Sequence, residues 1–407
     1  MNEPAHLTAE AVARRGYGKL VALLAARTRD VAAAEDALSE AFALALTRWP
    51  LDGCPANPEA WLFTVARRKA IDGARKRERD AFASAQLSIL AGGAGTADAT
   101  IPDERLALLF ACAHPAIDPG IRAPLMLQTV LGLDAKAIAA AFLTSAEAMG
   151  KRLVRAKEKI RSAGIPFRVP EREELPGRLG AVLDAVYAAY AEGWSDASGT
   201  DVARRDLTAE ALFLARLVAE LLPGEPEAPG LLALMLHAEA RRAARRDAAG
   251  EYVPFARQDP ALWDWRRIAE AESLIREAGA MGRPGRYQIE AALQSAHVYR
   301  RRTGDSNWPD VVRLYDALVA LTDSPVAGIN RAMAVAEASG AEAALAALEE
   351  FAADPRMAGY QPYWAARAEL LTRTGAAEAA RHAYDLAIGL ERDPAVRRFL
   401  QQRRTLS

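Results

Sequence analysis

Two clusters of cationic side chains at helical spacing carry the chemistry of this chain. Arg68, Asp72, Arg75 and Arg79 recur at i, i+4, i+7 and i+11, so they line one face of a helix, with Lys69 and Lys76 on its flanks. Asp72 is spaced to pair with Arg68 or Arg75 and hold the guanidinium groups in a row. Such a row suits phosphate contacts, which supply affinity and little sequence choice. The second cluster is Lys151, Arg152, Arg155, Lys157, Lys159 and Arg161. The spacing points these residues outward from a buried stripe of Met149, Leu153, Ala156 and Ile160.

Ahead of that stripe, Leu133, Ile138 and Phe142 give a short helix an apolar side, with Asp134 as its cap and Ala139 small at a close crossing. Leu143-Thr144 makes a turn, and Ser145 caps the next helix. This is a helix-turn-helix pattern, in which the start of the second helix enters the major groove. Ala146, Glu147, Gly150 and Lys151 are candidates for base edges, and Arg152 and Arg155 for phosphate. The competing reading of both clusters is a solvated helix face.

Other chemistry is poorly supplied. His6, His114, His237, His297 and His382 are scattered, and no metalloprotease, phosphate-loop or nucleophile-elbow motif is present. Cys54 and Cys112 have no metal-ligand spacing and fit a reducing compartment. The sequence therefore implies no metal, no cofactor and no enzyme.

The elements that must position these residues are helices. Ala, Leu, Glu and Arg dominate, and period-two alternation is scarce, so the chain reads as all-α. The pattern predicts a helix over Leu7–Arg27, then a second one capped by Asp30 and running through Leu46. Trp49-Pro50 should end it, leaving a loop over Leu51–Asn57. Pro58 opens a third helix that turns Trp61, Leu62, Val65 and Ala66 inward and runs to Asp80.

Residues 91–102 read as a flexible linker, and the prolines of 166–177 mark a second boundary. Helical pairs follow from 178. Trp364, Ala368, Leu371, Gly375, Ala380, Tyr384 and Ala387 fit the large and small positions of a tetratricopeptide helix pair, and Gly340 precedes Gly375 by about one repeat. Gly304 with Tyr315 suggests an earlier copy. The expected organisation is helical domains over 1–90 and 103–168, the linker 91–102, a helical extension over 178–284 and repeats over 285–407.

Charge follows the same division. Residues 1–168 hold 23 Lys and Arg against 18 Asp and Glu, and the remainder holds 29 against 35. A basic front and an acidic rear suit a DNA-binding module followed by a protein-interaction module, or two modules that dock on each other. No apolar run approaches a membrane span, and the first residues lack a signal peptide's apolar stretch, so a cytoplasmic protein with no membrane partner is expected.

Over about residues 8–165 the chain resembles the extracytoplasmic-function sigma factors of the sigma-70 family. Ala34-Glu35-Asp36-Ala37-Leu38-Ser39-Glu40-Ala41-Phe42 is similar to that family's acidic segment. The resemblance implies that Asp36 first, then Glu40 and Glu35, grip the clamp helices of the RNA polymerase β′ subunit. Pro58, Trp61, Leu62, Ala66, Arg67, Ala70 and Asp72 match the helix that approaches the −10 element. That match implies promoter contact by Arg67, Arg68, Lys69, Arg75, Lys76 and Arg79.

The segment Thr47–Asn57 stands where the family has a loop that captures a flipped base. Ser145, Arg152, Leu153, Arg155 and Ala156 match the −35-reading helix, which implies DNA contact by Glu147, Lys151, Arg152 and Arg155. Ser39, Arg68, Ala137 and Gly150 depart from the family's usual residues. The implied fold is a region 2 bundle over 1–90 and a region 4 helix-turn-helix over 103–168.

Long members of the family carry a tetratricopeptide-like extension, and Ala191–Trp194 and Asp259–Asp264 look like parts of it. The implied partners are core polymerase (β′ clamp helices and β), promoter DNA and a regulatory protein held by the repeats. A helix-turn-helix repressor on a repeat scaffold and an enzyme site hidden in the helical rear are the competing readings.

Overall fold

The computed structural model describes residues 3–28, 31–82, 103–162, 170–194 and 202–407. Regular structure among them is helical, apart from an isolated antiparallel bridge between Arg246 and Tyr252. The chain forms two compact units that divide at Leu221–Leu222.

The front unit opens with a three-helix bundle of α1 (Glu3–Thr28), α2 (Val31–Asp52) and α3 (Pro58–Phe82). Leu20, Val21 and Leu24 of α1 meet Ala34, Leu38, Ala41 and Ala45 of α2 and Leu62, Ala66 and Ala70 of α3 in its core. The alanines of α2 let the three axes approach closely, because helix spacing follows side-chain size at the contact. Trp49 and Trp61 pack edge to face at 5.5 Å between α2 and α3.

Trp49-Pro50 does not end α2 as expected. The helix carries Pro50 inside it and runs to Asp52, where Gly53, at φ +86°, donates its amide to Trp49 O at 3.0 Å. A proline within the last turn displaces only the hydrogen bond to Leu46 O, so a short continuation is tolerated. The loop is thereby cut to Gly53–Asn57, and Asn57 Oδ1 caps α3 by accepting from Ala60 N at 3.0 Å. The expected cap Asp30 and the expected linker 91–102 lie outside the described residues.

The second half of the front unit is built around α4 (Glu104–Cys112). Asp103 caps it, accepting from Arg105 N at 2.8 Å and Leu106 N at 3.2 Å. Leu106, Ala107, Leu108, Leu109, Phe110, Ala111 and Cys112 are all buried. A helix apolar all round needs cover on every side. That cover comes from α1, α5 (Pro119–Thr129), α8 (Leu175–Trp194) and α9 (Val202–Leu221).

Arg178 of α8, 2% exposed, donates to Phe110 O at 3.1 Å and pairs with Glu174 at 2.9 Å. Arg105 of α4 pairs with Glu210 of α9. Between α5 and α8 in the chain lie α6 (Ala135–Ala141) and α7 (Ala146–Ser162), joined by a short turn. The first helical pair after the proline-rich stretch thus belongs to the front unit.

The rear unit starts with α10 (Glu227–Ala240), packed on both α11 (Trp265–Ala280) and α12 (Arg286–Thr303). The Glu227 carboxylate accepts from Tyr287 N, Gln288 N and Gln288 Nε2 at 2.9, 3.1 and 3.2 Å, capping α12 from across the helix pair. Gly285 leaves room for it, since a Cβ there would stand 2.3 Å from the Glu227 carboxyl carbon.

Then come α13 (Trp308–Thr322), α14 (Pro325–Ser339), α15 (Ala341–Glu349), α16 (Gln361–Arg373), α17 (Ala377–Leu390) and α18 (Pro394–Thr405), each packed on its chain neighbour. Gly304, Gly340 and Gly375, all at positive φ, turn α12 into α13, α14 into α15 and α16 into α17. They recur roughly every 35 residues. Ala368, Ala380, Tyr384 and Ala387 are buried between α16 and α17, at the small and large positions that the sequence marks out.

The division at Leu221 gives a direct test. Residues 1–221 expressed alone should unfold cooperatively in denaturant. A chain ending at 168 loses the cover of Leu179, Val182, Leu183, Val186 and Tyr190, all buried. At roughly 1.5–3 kcal/mol each, that loss rivals the whole stability of a domain, and the shorter chain should aggregate or lack a cooperative transition.

Candidate functional site

The acidic segment of α2 is not uniform. Asp36 and Glu40 are exposed on the bundle surface. Glu40 pairs with Lys69 of α3 at 3.0 Å, both side chains about half exposed. A residue expected at polymerase and one expected at the −10 element therefore stand side by side where α2 and α3 meet.

Glu35 faces elsewhere. Its carboxylate accepts from Lys157 Nζ of α7 at 2.5 Å, with side-chain exposures of only 13% for Glu35 and 22% for Lys157. Burial pushes the Glu35 carboxyl above its ordinary value, and the Lys157 ammonium pulls it back down. Nearby, burial first and then the Glu35 charge raise the Tyr17 phenol to about 12. Burial likewise raises the Cys112 thiol to about 12, beside Thr129 Oγ1 at 3.8 Å.

On α3, Arg67, Arg68 and Lys69 are exposed, and Leu62, Ala66 and Ala70 turn inward. Three consecutive exposed cations, on a helix anchored by three buried positions, form a fixed basic surface of the kind that suits phosphate. The side chains of Arg75, Lys76 and Arg79 lie outside the described residues.

The α6–turn–α7 segment folds as its caps dictate. Asp134 Oδ1 accepts from Ala137 N at 2.7 Å, and Ser145 Oγ from Ala148 N at 3.2 Å. Ile138, Ala139, Met149 and Leu153 are buried at the crossing. Glu147 and Lys151 pair at 2.5 Å on the exposed side of α7. Arg155 is exposed.

Two cations of α7 differ from the outward row. Arg152, although exposed, donates to Gly120 O at 2.8 Å and so ties α7 to the start of α5. Lys157 points inward to Glu35. It lies four residues after the buried Leu153, and that spacing was the available signal that it flanks the packed stripe. A groove of about 310 Å³ is lined by Arg152, Arg155 and Lys159 together with Ile117, Ile121 and Ile160.

The turn carries local strain. Leu143 sits at φ +49°, in the left-handed region that disfavours side chains with a Cβ. Leu143 is also 37% exposed, so it contributes little burial. Leu143→Gly should therefore stabilise the front unit by about 1 kcal/mol. A shift in the denaturant midpoint without a change in slope would register it, and a destabilisation would contradict the strain assignment.

Comparison with known proteins fits this geometry. Residues 12–80, which lie within α1–α3, match the Sigma-70 region 2 family. Residues 178–279 match a family of unknown function, DUF6596, and span α8 and α9 of the front unit with α10 and α11 of the rear. Uncharacterized protein R00370 of Rhizobium meliloti (strain 1021) is 40% identical over 369 residues, covering 89% of this chain and 87% of that protein. No solved structure matches. The chain belongs to one family with that protein, and its region 2 makes it a sigma factor of the sigma-70 family, a non-enzymatic initiation factor that binds core RNA polymerase. No helix among the described residues is long and apolar enough to cross a membrane.

Proposed function

From that membership, we propose that the chain is an extracytoplasmic-function sigma factor acting in the cytoplasm, with α3 at the −10 element and α7 at the −35 element. The observation that carries this reading is the agreement of the region 2 match with the α1–α3 bundle, on which Asp36 and Glu40 stand exposed. Asp36 and Glu40 grip the β′ clamp helices, and contacts to β add to the hold. Arg67, Arg68 and Lys69, continued by Arg75, Lys76 and Arg79 along the same helix, take the −10 backbone. The exposed start of α7 reads the −35 major groove through Glu147 and Lys151, with Arg155 on phosphate and Arg152 held in place by Gly120.

The rear unit is tetratricopeptide-like in this reading. Its helix pairs, turned by Gly304, Gly340 and Gly375, stack as a repeat array of the kind that offers a concave binding surface. It holds a regulatory protein, and it either restrains or supports initiation.

Run-off transcription with core polymerase, this protein and DNA from upstream of its own gene tests the reading. Initiation should depend on the added chain. Asp36→Arg should weaken core binding by about tenfold or more while leaving the fold intact, because it sets a like charge against a cationic partner surface. Initiation and core binding unchanged by Asp36→Arg would refute the assignment of the polymerase contact.

A further inference from the structure

Three observations join the polymerase-facing bundle to the half of the front unit that carries the DNA-reading helix, and the first involves that helix itself. The first is the Lys157–Glu35 pair, joining residues 122 positions apart, with both side chains largely withdrawn from water. The second is a seat of backbone on backbone, where Gly18 of α1 lies against the turn after α5. A Cβ at Gly18 would stand 1.6 Å from Val130 O, an overlap that no side chain can relax. In the same seat, Tyr17 lies under Gly132. The third is that α1 packs on α4 and α9, so the bundle and the α4–α9 half share one core.

The acidic segment is divided by this arrangement. Asp36 and Glu40 face solvent, whereas Glu35, the remaining carboxylate of that segment, is committed to Lys157. Resting on the function proposed above, we infer that α7 of this chain is a latch on its own polymerase-binding surface: Lys157 occupies Glu35, and core polymerase must break this contact between α7 and α2 to engage the whole acidic segment. The base-reading side of α7, with Glu147, Lys151 and Arg155, stays exposed in the latched form, so the latch withholds the polymerase contact rather than the DNA contact. Latched protein is then the dominant free state, and core affinity is reduced by the fraction of chains that are open.

Zero-length carbodiimide coupling tests the latch on the full chain. A carboxylate and an ammonium in direct contact should join, so mass spectrometry of the free protein should find a Glu35–Lys157 isopeptide. Saturating core polymerase should suppress it. Lys157→Ala should tighten core binding by about three- to tenfold, and Lys157→Arg should restore the wild-type affinity. Gly18→Ala, which breaks the seat by a different route, should tighten binding in the same direction, with far-UV circular dichroism reporting that the bundle stays helical.

Absence of the isopeptide in free protein overturns the latch while leaving the sigma reading in place. Undiminished coupling in the core complex, or equal affinity of wild type, Lys157→Ala and Gly18→Ala, overturns it as well. Coupling in the free protein with no core binding by any variant would instead overturn the polymerase reading, and with it the release step.

Discussion

The front unit depends on the burial of α4. From Leu106 to Cys112 every side chain is withdrawn from water, and two helical turns with no solvent face cannot exist without neighbours on all sides. That requirement draws in α1 from the region 2 bundle, α5 from the segment that leads into α6 and α7, and α8 and α9 from beyond it. Arg178 and Arg105 fix the arrangement with charged hydrogen bonds to Phe110 O and Glu210. The close approach of Gly18 to Val130 O and the contact of Lys157 with Glu35 follow from the same packing.

Charge then sorts the surface. Cations beside the buried stripe of α3, such as Arg67 and Arg68, are left facing solvent, where the proposed reading has them meet phosphate. Cations that flank a stripe are drawn into internal contacts, as with Lys157, or tie helices together, as with Arg152 at Gly120 O. Glu40 beside Lys69 stands between these cases, because an exposed pair at 3.0 Å contributes little stability and can be exchanged for an external partner at small cost. The surface left open by packing is thus the one that a sigma factor would present to polymerase and promoter.

Much of this was legible in the sequence because it is local. The caps Asp134 and Ser145, the burial of Met149 and Leu153 on α7 (Ala156 and Ile160 of the same stripe are only half-buried), the inward side of α3 and the glycines that turn the rear helix pairs are all set by spacing within a few residues. What escaped depends on distant parts of the chain. Nothing near Lys157 names Glu35 as its partner, and nothing near residue 178 shows that α8 and α9 fold with the front unit rather than the rear. The run of α2 through Pro50 was missed for another reason: a helix-breaking residue is harmless when it falls within the last turn.

Amide hydrogen exchange of the full chain, alone and bound to core RNA polymerase, is the most direct test that α2 is the polymerase-binding surface and that it is partly covered in the free protein. On binding, protection is expected to rise across the α2 segment from Glu35 to Glu40 and to fall where α1 meets the Val130–Gly132 turn. Unchanged exchange over α2 in a verified complex would contradict the assignment. A rise over α2 with undisturbed exchange at that turn would contradict the opening.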